Sequence, residues 1–428
     1  MLDRTTPPPV RPFDFRPLPP ERVERLRNGV TLHTVLGGTQ AVGQMTVLLP
    51  GGAFSSPVLS SMASRLYSEG AGQFSGADIA DSLDFAGATL QPHSSARFTG
   101  LSSIVLSHRL ADILPIIGAM IQEPRFSSES LENIRRTMLA GLRVEHSKVL
   151  FRAVSEFRRL VYGKNHPQAH VNTEEELDTV TTASLHNFQK RLVKPDGIHV
   201  YLSGGFGEPT VDAVKQFLSG LAAISPQTEG FTAEDHPLCP EDPQTVFIPA
   251  PGAVQTAICA GMPALPRRDP GFIRLRLAVM ALGGYFGSRL MSNIREEKGL
   301  TYHIDAYVSA VFDASAVTIQ AQCKSGNIDR VIDEIRKELR LLAENPPSGP
   351  ELERLKLNAM TTLVETLDSP MTIANYRQLE LVTGTPADYF DAQQREIAAL
   401  TPDTIAETAA AHLDPSRLRI AVSGPDAR

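Results

Sequence analysis

The chain has 428 residues, more than one ordinary domain holds, so two domains are expected. A composition 42% hydrophobic and 21% charged is that of a soluble globular protein. The net charge of −7, with no run of five like charges, leaves no electrostatic footprint for nucleic acid or an anionic membrane surface.

The stretch from Met1 to Pro20 is proline-rich and lacks the apolar centre of a signal peptide. Apolar windows such as 110–121 are interrupted by charge well short of a membrane span. A cytoplasmic chain without export signal or membrane span is therefore expected. Asn28-Gly29 reads as a hairpin turn feeding a strand through Leu32. Ser75 to Gly87 reads as a helix, with Ser75 as cap, Asp78 near the positive end, Ile79 and Leu83 on one face and Gly87 as the stop. Thr173 and Glu176 have the spacing of a capping box. The three cysteines, Cys239, Cys259 and Cys323, form no CxxC pair and are expected to be small buried hydrophobes.

A pattern recurs at an offset of 220 residues. Thr181, Pro195, Ser203 and Gly204 fall on Thr401, Pro415, Ser423 and Gly424, each set giving a Thr-led helix, a Pro turn and a short apolar strand ending in Ser-Gly. Upstream, helices ending near Pro124 and Asn345 are each followed by a charged helix, starting near Ser128 and Gly349. The pattern predicts two homologous α+β domains, each a mostly antiparallel sheet with helices layered on it. The first spans 1–225, a Pro/Glu/Asp-rich linker 226–242, and the second 243–428.

The most specific string lies in the second half: Gly283-Gly284-Tyr285-Phe286-Gly287-Ser288-Arg289-Leu290, then Ile294-Arg295-Glu296-Glu297-Lys298-Gly299-Leu300-Thr301-Tyr302. It resembles the C-terminal domains of the pitrilysin/mitochondrial-processing-peptidase family, inverzincin metallopeptidases that carry a glycine turn, Ser-Arg-Leu and Arg-Glu-x-x-Gly-Leu-x-Tyr. The resemblance implies paired α+β domains around a chamber, with Arg295 and Tyr302 facing it to hold a substrate backbone. Guanidinium and phenol donors suit a peptide carbonyl. The structural alternative is an Arg ion-paired at a helix end and a Tyr packed within a strand.

The same resemblance implies H-x-x-E-H in the first half, two histidines and a general base on one helix face. Counting back from Gly70, that motif falls on Ser61-Met62-Ala63-Ser64-Arg65. Ser61, Ser64 and Arg65 stand where the histidines and glutamate should be, and none of the eleven histidines completes either H-x-x-E-H or H-E-x-x-H. The third ligand should fall near Leu139–Leu142, where only Glu145 is acidic, about a turn too late. A fixed cation at Arg65 also opposes a dication. No metal is expected in this chain, and zinc only in a partner subunit.

Other motifs are weaker. His166 and His170 are four apart, but Pro167 forbids one helix through them, so a turn is expected rather than a metal site. Ser55-Ser56 and Ser60-Ser61 lack a G-x-S-x-G elbow and are read as turn and cap serines. Gly204 to Gly207 lacks both the glycine spacing and the helix start of a phosphate cradle, and is read as a turn. The expected function is a non-catalytic, peptide-binding subunit of a heteromeric metallopeptidase, paired with a zinc-bearing homologous subunit or with itself. The alternative is a structural, assembly-type subunit; a stand-alone protease of other chemistry finds no convincing triad or carboxylate pair.

Overall fold

The computed structural model describes residues 15–194, 197–221 and 236–425. Most of the expected linker, part of the Met1–Pro20 stretch and the Pro195 of the repeat lie outside them.

The first half runs β1 (Arg22–Arg25), β2 (Thr31–Leu36), β3 (Val42–Pro50), α1 (Pro57–Leu66), β4 (Gly70–Ala71), β5 (Phe74–Ser75), α2 (Gly76–Phe85), β6 (Gln91–Ser94) and β7 (Phe98–Leu106). It continues with α3 (Leu110–Gln122), α4 (Ser128–Ser147), α5 (Val149–Tyr162), α6 (Glu174–Thr179), α7 (Thr182–Leu192), β8 (His199–Gly204) and α8 (Glu208–Ser219). The second half runs β9 (Thr245–Pro249), β10 (Thr256–Pro263), α9 (Phe272–Gly283), β11 (Thr301–Val311), β12 (Ala314–Cys323) and α10 (Ile328–Glu344). It closes with α11 (Pro350–Val364), α12 (Pro370–Thr383), α13 (Tyr389–Ala399), α14 (Pro402–His412) and β13 (Arg419–Gly424).

Local signals act where they were expected. Gly29 takes φ +95° to turn β1 into β2, and Asn28 Nδ2 ties the turn to Leu218 O at 2.8 Å. Ser75 and Asp78 close a capping box on α2, which buries Ile79 and Leu83; Thr173 and Glu176 do the same for α6. Thr181 and Thr401 cap α7 and α14.

The two main sheets repeat one topology. Setting β1 aside, the orders β2-β8-β3-β7-β6 and β9-β13-β10-β12-β11 correspond strand for strand. In each, the late strand lies parallel to the first and antiparallel to the second: β8 between β2 and β3, β13 between β9 and β10. Mostly antiparallel sheets layered with helices are thus what the chain forms.

Each half also sends a helix to the other's sheet. From the first half, α5 packs on β10 and β13, burying Ala153, Phe157 and Val161 against Ala257, Cys259 and Ala421. From the second, α12 packs on β8 and β2, and its Ile373 and Ala374 share a core cluster with Leu18 and Val35. These two helices stand at the 220-residue offset of the sequence pattern. The described end of the expected linker follows α5: Cys239 N–H donates to Tyr162 O at 3.1 Å and Glu241 N–H to Leu160 O at 2.9 Å.

Two expectations are corrected. Cys259 and Cys323 are buried, but Cys239 is exposed, held on the surface by that backbone bond to α5. Gly204–Gly207 does lead into a helix: α8 starts at Glu208, with Pro209 preset for a first turn and Val211, Val214 and Leu218 forming its buried face. Among the described residues no helix is long and apolar enough to cross a membrane.

Candidate functional site

The Arg/Tyr site is assembled by α9, the turn after it and the start of β11. Helix α9 is buried almost all round and stops where Gly283 meets β11. A Cβ on Gly283 would stand 2.6 Å from Ala306 Cβ and 2.7 Å from its backbone nitrogen. After the turn, Arg289 grips Glu351 of α11 through Nε at 2.8 Å and Nη2 at 3.2 Å, and donates to Leu341 O at 3.1 Å. Met291–Glu297 then winds as a π-helix, the wider turn that often marks functional segments. Asn293 fixes it to Glu334 and Glu338 of α10, and Lys298 pairs with Glu334.

Out of this anchored segment Arg295 projects over the Phe286 ring, 5.2 Å from its centre. Beyond Gly299 the β11–β12 register slips between Thr301 and His303, so Tyr302 is the extra residue of a bulge. Thr301 Oγ1 holds the bulge by donating to Gln322 O at 2.5 Å while His303 N–H donates back to it at 3.2 Å. Tyr302 is left 79% exposed and Phe286 63% exposed. Next to them His303 faces Asp305 at 3.3 Å, and burial holds the Asp305 carboxyl above the usual carboxylate range despite that neighbour. Among the described residues, neither the Arg295 guanidinium nor the Tyr302 phenol has a hydrogen-bond or ion-pair partner. The structural alternative, an ion-paired Arg and a packed Tyr, is not what forms.

The zinc-motif positions sit on α1, which is packed against α4 and β7. Ser64 is buried and donates to Ser61 O at 3.2 Å, Ser61 is half-buried, and Arg65 is exposed. On α4, Leu139 and Leu142 lie against the first-half core, and Glu145 is taken by Lys148 at 2.5 Å. His166 is no ligand in waiting: Nε2 lies 3.1 Å from His236 O, Nδ1 accepts from Gln168 N–H, and the ring stacks on Tyr162 at 5.3 Å. His170 faces Glu176 instead.

One polar cluster had no sequence signal, because its members are far apart in the chain. Glu21 Oε2 lies 3.1 Å from His33 Nδ1, His33 Nε2 lies 3.0 Å from His199 Nδ1, and Tyr201 stacks on His33 at 4.2 Å. Burial first, and then His33, pushes His199 down to about 4. The pairing of β2 with β8 brings His33 to His199 and Tyr201, and the pairing of β1 with β2 brings Glu21 to His33.

With this geometry established, comparison with known proteins places the chain. The family description "Peptidase M16 inactive domain" matches residues 179–358, from the end of α6 into α11 and across the Arg/Tyr segment. Residues 179–358 thus resemble the M16 peptidase family. An uncharacterized zinc protease of Bacillus subtilis, YmxG, is 21% identical over 307 residues, covering 71% of this chain and 73% of its own. A Helicobacter pylori relative named as a non-peptidase homolog is 20% identical over 373 residues, covering 85% and 84%. The crystal structure of a peptidase M16 inactive domain from Pseudomonas fluorescens superposes with a TM-score of 0.84 at 20% identity, covering 95% of this chain and 98% of that one, and so shares its fold.

Zinc is the metal this M16 family implies, and it takes imidazole, thiolate or carboxylate donors. On α1 the matching positions supply two hydroxyls and a guanidinium, so these residues do not fit the ion. Among the described residues no group of three or more His, Cys, Asp or Glu side chains is placed to hold a metal.

Proposed function

We propose that this chain is a non-catalytic M16 subunit that holds peptide through Arg295 and Tyr302 and works beside a homologous subunit carrying zinc. The observation behind this reading is a mismatch within one molecule. The α1 positions Ser61, Ser64 and Arg65 offer no zinc donor, while the Arg/Tyr segment is braced and, among the described residues, its Arg295 and Tyr302 have no hydrogen-bond or ion-pair partner. A scaffold has no need of such donors. Guanidinium and phenol together can hold two successive peptide carbonyls. The H. pylori relative named as a non-peptidase homolog and the B. subtilis relative named as a zinc protease indicate that chains of both kinds share this architecture.

The test combines metal analysis with peptide binding. Purified chain should carry far less than one zinc and cleave no peptide unaided, yet bind an unstructured fluorescent peptide. Arg295→Ala and Tyr302→Ala should each weaken that binding at least tenfold, and should slow turnover when the chain is mixed with an H-x-x-E-H subunit. One zinc per chain with unaided cleavage would sink the proposal. Peptide binding and turnover untouched by both variants would favour the assembly-subunit reading instead.

A further inference from the structure

A second polar site lies inside the second half, away from the exposed Arg/Tyr face. Helices α9, α11, α12 and α13 and strand β11 enclose a cavity of about 450 Å³, a size that accepts a small organic ligand. Much of its wall is hydrocarbon, from Ile273, Leu277, Leu363 and Ile397 among others. Arg267 and Arg276 also line it, close enough to repel one another.

Neither guanidinium has a carboxylate partner among the described residues. Arg276 donates to Tyr389 Oη at 2.9 Å and to Gln393 Oε1 at 2.5 Å, and Gln393 passes a bond on to Tyr376 Oη at 2.8 Å. Arg267 donates to Ala310 O at 3.3 Å, and its buried Nε has no partner. Burial pulls Arg267 below the ordinary arginine range, the sign of a cation short of compensation. Both tyrosine hydroxyls accept a bond from the network, which leaves their own protons available. The acidic side chain in the lining, Glu380, is held by Arg377 through Oε2 at 2.9 Å while its Oε1 has no hydrogen-bond partner among the described residues, and burial raises its carboxyl. The cavity is thus rich in donors and cations and poor in anions, against an apolar wall.

We propose that this cavity binds a carboxylate carried on an apolar body, its head between Arg267 and Arg276 and its chain against Ile273, Leu277, Leu363 and Ile397. A carboxylate supplies the acceptors that two guanidiniums and two phenols lack, and two arginines can hold it with paired charge-assisted bonds. A neutral amphiphile would fill the same volume and leave both cations uncompensated. The site is independent of peptide holding at Arg295.

Isothermal titration calorimetry of the full chain tests this with decanoate, 1-decanol and an apolar tripeptide whose C-terminus is either free or amidated. Decanoate should bind once per chain and at least tenfold more tightly than decanol. If the free-acid tripeptide outbinds decanoate, with the amidated one inert, the natural body is a peptide end; the reverse order points to a free carboxylic acid. Arg267→Met should lose at least tenfold, and Ala359→Phe, which fills the cavity without touching a charge, should abolish binding. Decanoate binding no tighter than decanol would overturn the proposal, and that comparison needs no variant. Ala359→Phe binding like the unaltered chain would overturn it equally.

Discussion

The Arg295 guanidinium lies over the Phe286 ring and, among the described residues, pairs with no carboxylate, although Glu296 and Glu297 follow it directly in the chain. The π-helical winding separates them: both glutamates are exposed while Arg295 is half-buried against the ring. A cation–π contact near the surface is worth about 0.5–1 kcal/mol. Arg295→Ala and Tyr302→Ala should therefore shift stability by no more than about 1 kcal/mol in urea titrations. Peptide anisotropy should show the losses of tenfold or more, about 1.4 kcal/mol each. Arg295→Lys should restore only part of the loss, since an ammonium cannot match the planar fork. A stability loss that tracks the binding loss would mean that the residues are structural.

Gly283 tests whether the site depends on the closeness of α9 and β11. Its Cβ position is already occupied by the Ala306 backbone, which cannot swing aside as a side-chain tip could. Gly283→Ala should lower stability by about 1–3 kcal/mol through overpacking. Because Ala306 and Tyr302 share β11, the same change should weaken peptide binding. Gly299→Ala makes a useful contrast, since nothing lies within 4 Å of its Cβ position and only its φ of +60° resists. It should lose stability through backbone strain, about 1 kcal/mol, without displacing β11.

What could be read from the chain beforehand was largely local. Thr181 and Thr401, and the strands β8 and β13, follow from caps and short apolar runs that need no distant partner. The exchange of α5 and α12 between sheets could not be read that way. Phe157 looks like any buried aromatic until its neighbours Ala257 and Cys259 are known. The Tyr302 bulge is a matter of register against β12, a property of two strands rather than one. The α8 start is signalled in the chain by Pro209 and the Val211/Val214/Leu218 face, not by the glycines before it. Nothing local to Arg267 or Arg276 in the chain says that helices α9, α11, α12 and α13 close around them.

Ser60 is a structural serine whose proton is already committed. Thr99 Oγ1 donates to Gly51 O at 2.7 Å, so at 2.7 Å from Ser60 it can only accept; Ser60 must donate to it and accept from Ser94, also at 2.7 Å. Removing that hydroxyl leaves buried partners unsatisfied, an effect of about 1–3 kcal/mol. Ser60→Ala should show that loss in chemical denaturation, while Ser61→Ala, half-buried on the same helix, should stay within about 0.5 kcal/mol. Equal effects at the two positions would remove the case for a committed proton.

The Glu21–His33–His199 cluster gives the fold a pH dependence of fixed sign. In the folded chain His199 is pushed down to about 4 from an ordinary 6.5, first by burial and then by His33, with Glu21 opposing both. Between those values the unfolded chain binds a proton that the folded chain refuses, so stability rises with pH across that window and falls as acid is added. Below about pH 4 both states carry the proton and this contribution levels off. His199→Gln removes the titration but keeps a polar side chain toward His33. Urea midpoints measured at pH 7.5, 6.5, 5.5 and 4.5 should fall more steeply for the unaltered chain than for the variant, with the difference concentrated below pH 6.5. Parallel curves would show that His199 takes up its proton as readily in the folded chain as in the unfolded one.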